Sequence, residues 1–144
     1  MEDSILQLIG TFITLMKSNR QTTNSILETI KQEEAKFPAF IHRSEFMLKE
    51  IFEPFYQEYE NYLKQKNQID YTDLILKATD ICESGMYKKE YDMILVDEFQ
   101  DISVDRYKLL QSLRRKKNLT KLYCVGDDWQ SIFRFSGSDL IKLV

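Results

Sequence analysis

The sequence predicts an α/β fold in which a small parallel sheet follows an N-terminal helical region. Two short apolar runs, Met93–Val96 and Leu122–Val125, have the length and composition of strands. A polar cluster follows each run directly, as expected where the parallel strands of an open sheet end at a ligand site. Residues 1–68 instead carry apolar side chains at helical spacing. We therefore divide the chain into a helical part, 1–68, and a part that contains the strands, 69–144.

The N-terminal part is predicted to contain three helical stretches. Apolar side chains recur at helical spacing over Ile5–Met16, and a weaker pattern covers Ser25–Lys36. The third stretch covers residues 42–65, where Pro54 must kink the helix or start a new one. Its aromatic residues also recur at helical spacing, which favours core packing over stacking on nucleic-acid bases. They are Phe46, Phe52, Phe55, Tyr56, Tyr59 and Tyr62.

Two further helices are predicted around the first strand. One, capped by Thr72 or Asp73, is expected to run to about Ser84, with Gly85 as the residue that ends it. The other begins at Ser103 and ends in a run of four basic residues, 114–117. Cations at a helix C-terminus are favourable, so we interpret this run as a solvated helix end rather than a phosphate-binding patch.

Length, charge and cysteine content restrict the class of protein. At 144 residues the chain is at most one ordinary domain, and its 43% hydrophobic content is sufficient for a core. The net charge of −3 gives no overall attraction to nucleic acid, so a DNA site would have to be a local patch. Cys82 and Cys124 stand alone in apolar segments, which predicts reduced, buried thiols. With no signal peptide and no apolar run of membrane-spanning length, we expect a cytoplasmic protein without a membrane partner.

The polar cluster after the first strand is acidic. Asp97, Glu98 and Asp101 follow an apolar run that suits a strand buried on both faces. Adjacent carboxylates repel each other and are costly near a dry sheet unless a cation neutralises them. Mg²⁺ suits this role because it binds one or two carboxylates together with phosphate oxygens and water. The alternative is that Asp97 or Asp101 caps the next helix, and the residues alone leave both interpretations open.

The cluster after the second strand adds amide, cationic and aromatic side chains. Gly126, which permits a sharp turn or a close approach, is followed by Asp127, Gln130 and Arg134. Three aromatic residues lie among them: Trp129, Phe133 and Phe135. Because parallel strands end at the same edge of a sheet, the two clusters predict one phosphate-binding crevice.

The residue order in both clusters resembles that of a known family. Residues 96–101, Val-Asp-Glu-Phe-Gln-Asp, and residues 126–137, Gly-Asp-Asp-Trp-Gln-Ser-Ile-Phe-Arg-Phe-Ser-Gly, are similar to motifs II and III of the UvrD/Rep-like superfamily 1 DNA helicases, especially the DNA helicase IV branch. Residues 69–75, Ile-Asp-Tyr-Thr-Asp-Leu-Ile, resemble the element that precedes motif II in these enzymes. The resemblance implies that 69–144 is the second half of the first RecA-like motor domain of a P-loop NTPase. It also implies that 1–68 belongs to an inserted helical subdomain, the 1B-like region.

The resemblance implies roles in the nucleotide site. Asp97 would hold the Mg²⁺ ion that bridges the β- and γ-phosphates of ATP, and Glu98 would orient or deprotonate the attacking water. Gln130 would sense the γ-phosphate and link the state of ATP to the DNA contacts. Four residues would couple the two motifs: Gln100, Asp101, Asp127 and Arg134. Arg134 would pair either with a carboxylate of motif II or with a backbone phosphate.

DNA contacts are implied in the same way. Phe133 and Phe135 would stack on bases of single-stranded DNA, a contact worth about 1–3 kcal/mol per base. Trp129, Tyr71 and Asp73 would lie near the nucleic-acid path. The family often has Tyr and Trp where this chain has Phe133 and Phe135, and Phe keeps the stacking surface without the polar group.

The P-loop of this family has no counterpart in the sequence. Its pattern requires a glycine followed by a lysine, and none of the four glycines, at positions 10, 85, 126 and 137, precedes a lysine. We therefore predict a fragment of an ATP-dependent DNA helicase that acts on single-stranded and duplex DNA with ATP and Mg²⁺, and that is inactive without the remaining helicase domains. The alternative is a non-catalytic module that retains the fold to bind single-stranded DNA or a protein. An open edge on strand 122–125 would favour a homodimer, unless the N-terminal helices cover it.

Overall fold

The computed structural model of the protein describes residues 2–33, 38–114 and 120–127. Within these ranges it contains six α-helices, a π-helical segment, a 3₁₀ turn and a two-stranded sheet. The helices are α1 (Glu2–Ser18), α2 (Thr23–Glu33), α3 (Pro38–Phe46), α4 (Glu53–Gln65), α5 (Tyr71–Glu83) and α6 (Val104–Arg114), and the strands are β1 (Met93–Val96) and β2 (Lys121–Cys124). The predicted α/β class is confirmed. None of the described helices is long and apolar enough to span a membrane.

The two strands lie side by side and run parallel. Their residues pair in register from Met93 with Lys121 to Val96 with Cys124. The backbone N–H of Val125 donates to the carbonyl of Val96 at 2.8 Å and continues the pairing past the end of β2. The predicted parallel strands near 93–96 and 122–125 are thus confirmed. β2 starts at the polar residue Lys121 because strand pairing uses the backbone and does not require an apolar side chain.

One face of this sheet is exposed. Leu95 and its partner Tyr123 are 70% and 62% exposed, and Met93 is exposed on the same face. Ile94 and Val96 point to the other face and are half-buried. The prediction that β1 is buried on both faces is therefore wrong, because the described residues cover the sheet on one side only.

The two cysteines differ in exposure. Both are free thiols, and Cys82 in α5 is buried whereas Cys124 at the end of β2 is exposed. The predicted burial is confirmed for Cys82 and wrong for Cys124. The apolar neighbours of Cys124 in the sequence indicated a core strand, but within the described residues β2 pairs with β1 alone.

The chain divides into two units, Met1–Asp70 and Tyr71–Val144. The first, the helical unit, has a core of Ile13, Met16, Leu48 and Phe52. Phe12 packs edge-on against Phe52 with ring centroids 4.3 Å apart. The assignment of residues 1–68 and 69–144 to particular helicase subdomains stays a prediction.

The aromatic residues of the third predicted stretch are only partly used in this core. Phe52 is buried, and Tyr56 and Tyr59 pack against the core cluster. The other three, Phe46, Phe55 and Tyr62, are exposed. Core packing is therefore confirmed for Phe52, Tyr56 and Tyr59 and wrong for the other three. The aromatic residues occupy a wider part of the helix surface than α1 and α2 cover.

A π-helical segment, Met47–Phe52, separates α3 from α4. Pro54 lies in the first turn of α4, directly after the π-helical segment, and Phe52 and Glu53 keep right-handed helical backbone angles at this junction. Of the two predicted outcomes, a kink or a new helix, the structure has a separate α-helix that begins at Glu53, but the helical backbone continues into it without a break. The helical stretch begins earlier than predicted, at Pro38.

The helix before β1 starts earlier than its predicted cap. α5 begins at Tyr71, and Thr72 is buried inside its first turn, so the prediction that Thr72 or Asp73 caps the helix is wrong. Its end agrees better with the sequence. Gly85 has φ +76°, the left-handed conformation that glycine adopts readily after a helix.

Candidate functional site

The two polar clusters predicted from the sequence begin at the same edge of the sheet. β1 and β2 are parallel and in register, so Asp97 and Val125 follow paired strand ends. The backbone N–H of Phe99 donates to the carbonyl of Val125 at 2.9 Å. The 3₁₀ turn Phe99–Asp101 is therefore attached directly to the segment that follows β2.

Gln100 connects the clusters through its side chain. It is 2% exposed, and its Oε1 accepts the backbone N–H of Asp127 at 2.9 Å. Its Nε2 donates to Oε2 of Glu98 at 2.6 Å. A buried amide with both ends satisfied holds its neighbours in fixed positions, since breaking either bond would leave a polar group without a partner. The acidic cluster and the backbone of the second cluster thus form one hydrogen-bonded unit.

Gly126 is required by the closeness of this contact. A Cβ atom at position 126 would lie 2.5 Å from Oε1 of Gln100, 3.1 Å from the Gln100 nitrogen and 3.2 Å from the Phe99 nitrogen. Two of these neighbours are backbone atoms that cannot move aside easily. The glycine that follows the second strand is therefore needed for close approach between the two strand ends.

Glu98 has a strained backbone. Its φ and ψ are 50° and 44°, the left-handed region, which costs a residue other than glycine about 1–2 kcal/mol. Oδ1 of Asp97 accepts the Glu98 N–H at 2.9 Å, and Gln100 holds the Glu98 carboxylate from the other side. Both acidic side chains remain exposed. Strain of this kind beside exposed carboxylates is typical of functional sites, where the surrounding structure maintains it.

Two further carboxylates follow these residues in the sequence. Oδ1 of Asp101 and Oδ1 of Asp105 are buried and have no hydrogen-bond partner in the described part of the chain. Asp105, in the first turn of α6, is 4% exposed and was not predicted as a site residue. An acidic residue at a helix N-terminus is ordinarily a surface feature, so the sequence contained no signal of its burial.

The structure gathers some of the predicted residues and separates others. Five lie together at the strand ends: Asp97, Glu98, Gln100, Asp101 and Asp127. Tyr71 and Asp73 lie on the first turn of α5. Five lie outside the described residues: Trp129, Gln130, Phe133, Arg134 and Phe135. Tyr71 is exposed, with the Arg106 guanidinium 5.5 Å from the centre of its ring.

The Asp97 and Glu98 carboxylates suit a metal ion that takes most of its ligands from outside the protein. In the ranges 2–33, 38–114 and 120–127, no group of three or more His, Cys, Asp or Glu side chains could hold an ion. Asp97 and Glu98 offer exposed oxygens on adjacent residues. Mg²⁺ fits this donor set, since it is usually bound by one or two carboxylates plus phosphate oxygens and water.

Several known proteins with similar sequences are named as DNA helicases. DNA helicase IV of Escherichia coli (strain K12) is 43% identical over 90 residues, which are 62% of this chain and 13% of that protein. The putative ATP-dependent DNA helicase YjcD of Bacillus subtilis is 38% identical over 91 residues, 58% of this chain and 12% of that protein. ATP-dependent DNA helicase Rep of Buchnera aphidicola is 35% identical over 89 residues, 58% of this chain and 14% of that protein. No solved structure matches the chain.

The family resemblance extends beyond the two motifs. The UvrD/REP helicase N-terminal domain matches residues 4–143, nearly the whole sequence, including the helical unit for which no motif was available. The aligned region spans only 12–14% of the length of these three relatives. The motifs at the strand ends, the α/β fold and this match together show that the chain belongs to the UvrD/REP helicase family.

Proposed function

We propose that this chain forms part of an ATP-dependent DNA helicase and supplies the carboxylates that act on bound ATP. The observation that carries the proposal is the Gln100 bridge, which joins the exposed Glu98 carboxylate to the backbone of Asp127. Such a link lets a change at the nucleotide reach the segment that follows Asp127. The relatives are named as DNA helicases, two of them as ATP-dependent, which supports the same assignment.

The acidic residues have distinct roles in this proposal. Asp97 would hold Mg²⁺, and the bound ion would neutralise the charge that develops on the phosphates. Glu98 orients or deprotonates the attacking water. Nε2 of Gln100 donates to one oxygen of the Glu98 carboxylate. The buried Gln100 side chain therefore holds the exposed Glu98 side chain in a fixed orientation. Phosphoryl transfer depends on positioning and electrostatics, so a rigidly held carboxylate is the appropriate contribution.

Residues of motif III transmit the state of the nucleotide. Gln130 senses the γ-phosphate, and Arg134 pairs with an acidic side chain of motif II or with a DNA phosphate. Gln100, Asp101 and Asp127 couple the motifs. The buried Asp101 Oδ1, which has no partner among the described residues, supports a site completed by further groups.

Contacts with single-stranded DNA are assigned to aromatic residues. Phe133 and Phe135 stack on bases, and Trp129, Tyr71 and Asp73 line the path of the strand. The net charge of −3 gives no general attraction to DNA, so stacking has to supply most of the affinity of this chain. Duplex unwinding requires the remaining helicase domains.

A non-catalytic binding module is the second candidate. The observation in its favour is the lack of any glycine–lysine pair that would form a P-loop. A module that only bound DNA or protein would, however, have no need for the strained Glu98 backbone beside Asp97. We therefore favour the helicase assignment.

Binding of a fluorescent oligonucleotide tests the DNA assignment. At low salt, fluorescence anisotropy should show weak binding of a short single strand by the wild-type chain. The Phe133→Ala/Phe135→Ala variant should bind at least tenfold more weakly, since each lost stack is worth about 1–3 kcal/mol. Phe46→Ala/Phe55→Ala is the matched control, because both residues are exposed aromatics of the helical unit. Equal loss in the two double variants would contradict the proposal.

A further inference from the structure

An apolar groove lies on the surface of the helical unit, between α1, α2 and the segment that joins α3 to α4. Its volume is about 580 Å³, and nine of the eleven described residues that line it are apolar. Three of the nine, Leu8, Phe12 and Met47, are exposed, so the groove opens to solvent. Contiguous apolar surface that a folded unit leaves uncovered marks a site of interaction.

The apolar stripe of α1 is covered over only part of its length. Apolar residues recur along one face of this helix from Ile5 to Met16. Ile13 and Met16, in the C-terminal half, are buried in the core, whereas Ile5 and Leu8 are 54% and 66% exposed. About two turns of the stripe are therefore left for a surface other than the described residues of the unit.

A π-helical turn forms one wall of the groove. Met47, Leu48, Ile51 and Phe52 all line the groove, and all belong to the π-helical segment Met47–Phe52. Leu48 and Phe52 also pack in the core, so the segment is held from behind while Met47 stays exposed. π-helical turns are rare and occur frequently at functional sites. The composition of this wall is a second indication of binding, separate from the exposed stripe.

Arg43 is the one charged residue among the described residues that line the groove. Its side chain is exposed and forms no ion pair with any residue that the structure describes. Guanidinium groups bind carboxylates through two parallel hydrogen bonds. The groove is therefore complementary in charge to a partner that carries a carboxylate beside an apolar surface.

The walls of the groove favour a helix as its occupant. The walls are helical, and their backbone groups are bonded within each helix, so an extended peptide would find no sheet edge to join. A membrane surface would require several cations, whereas the described lining has one and the chain has a net charge of −3. An amphipathic helix is about 10 Å across and fills such grooves with apolar side chains at i, i+3, i+4 and i+7.

We propose that this groove docks one amphipathic α-helix of another polypeptide. Apolar side chains of that helix pack against Leu8, Phe12 and Met47, and an acidic side chain at the edge of its apolar stripe pairs with Arg43. The helical unit is then a protein-docking module as well as part of the family fold. This role does not depend on the ATP and DNA assignments, because all of its residues lie within the helical unit.

Fluorescence anisotropy with two synthetic peptides tests the proposal on the whole chain. Each peptide has about 18 residues, is stapled to remain helical, and carries leucines at i, i+3, i+4 and i+7. One has glutamates along the edge of the leucine stripe, and the other has lysines there. Leu8→Glu places a charge in the groove. Leu6→Glu is the matched control, because Leu6 is 61% exposed on the same helix and does not line the groove.

The wild-type chain should bind the glutamate peptide saturably and more tightly than the lysine peptide. Leu8→Glu should weaken binding of the glutamate peptide at least tenfold, and Leu6→Glu should leave it within about twofold. Arg43→Glu should weaken binding of the glutamate peptide about threefold to tenfold and make the lysine peptide the tighter ligand. Arg43 is exposed, so this charge reversal tests the proposal even if Leu8→Glu does not fold.

Three results would overturn the inference. The first is no saturable binding of the glutamate peptide by the wild-type chain. The second is an equal loss of binding in Leu6→Glu and Leu8→Glu, or an unchanged peptide preference in Arg43→Glu. The third is self-association of the wild-type chain that Leu8→Glu abolishes in light scattering, since a second copy of the chain would then be the occupant of the groove.

Discussion

The amide oxygen of Gln100 accepts the backbone N–H of Asp127 at 2.9 Å across 27 residues of sequence. The other end of the same side chain donates to Glu98. One buried amide therefore holds both the Glu98 carboxylate of the proposed site and the first residues of motif III. This contact requires the two backbones to approach closely, and Gly126 is the residue that allows it.

Substitution of Gly126 tests that requirement. Gly126→Ala places a methyl group 2.5 Å from Oε1 of Gln100, so we expect a loss of about 1–3 kcal/mol in unfolding free energy and disruption of the Gln100 bridge. Gly10→Ala is the control, because no atom lies within 4 Å of its added Cβ and it occupies the interior of α1. That variant should be neutral or stabilised by up to about 1 kcal/mol. Urea unfolding measures both, and equal stability of the two variants would contradict the close-approach argument.

Much of the site was predictable because its chemistry is local in the sequence. The alternation of apolar runs and acidic clusters indicated two parallel strands and a ligand site at their ends, and the strand pairing agrees. Residues 97–101 and 126–127 were assigned by motif resemblance, and the structure places them together. Local sequence patterns and motif resemblance were sufficient to predict the site residues that lie close together in the sequence.

Long-range contacts were not predictable from the pattern. Lys17 looks like a surface residue at a helix end, and its burial depends on carboxylates 43 and 53 residues away. Asp105 looks like a helix-dipole residue and is buried. The prediction for Cys124 was wrong in the opposite direction: its apolar neighbours indicated a buried core strand, but among the described residues Cys124 is exposed. For each of these three residues, tertiary structure determines whether the side chain is buried or exposed.

The helical unit should depend strongly on Phe52. Its ring is buried and packs against Phe12 and Tyr56. Phe52→Ala should therefore cost about 3–5 kcal/mol, a loss that should unfold most of a small helical unit. Phe55→Ala, three residues further along and exposed, should change stability by less than about 0.5 kcal/mol. Thermal unfolding followed by circular dichroism distinguishes them, and a small effect of Phe52→Ala would show that the core is formed by other residues.

The isolated chain should have no detectable ATPase activity. The sequence lacks the P-loop lysine that holds the phosphates, and phosphoryl transfer depends almost entirely on positioning and charge neutralisation. Phosphate release in the presence of Mg²⁺ and single-stranded DNA is the measurement. Glu98→Gln is the control that identifies genuine turnover. Mg²⁺-dependent activity that disappears in this variant would mean that other residues hold the phosphates.

The two thiols should react at very different rates. Cys124 is exposed and Cys82 is buried, so a maleimide should label Cys124 in the native state and Cys82 only after unfolding. Partial desolvation of the otherwise exposed sulfur raises the pKa of Cys124 above its ordinary value, and the Arg114 charge opposes this effect. Because the thiolate is the reactive form, native labelling of Cys124 at pH 8 should be slower than in urea and should increase further at higher pH. Cys124→Ser should abolish the fast phase, and labelling of Cys82 at the same native rate would contradict the prediction.

The open edge of β2 should support a homodimer unless other residues of the chain cover it. Lys121 and Val125 donate their backbone N–H groups to the carbonyls of Asp92 and Val96, so alternation along the strand directs the N–H of Cys124 to the opposite edge. Light scattering after size-exclusion chromatography should show a mass that rises with concentration toward twice the 17.2 kDa of the chain. Cys124→Pro removes an edge donor without removing a bond to β1, and it should return the mass to that of a monomer. A wild-type monomer at every concentration, together with rapid hydrogen exchange of the Cys124 amide, would contradict both dimerisation and cover of this edge.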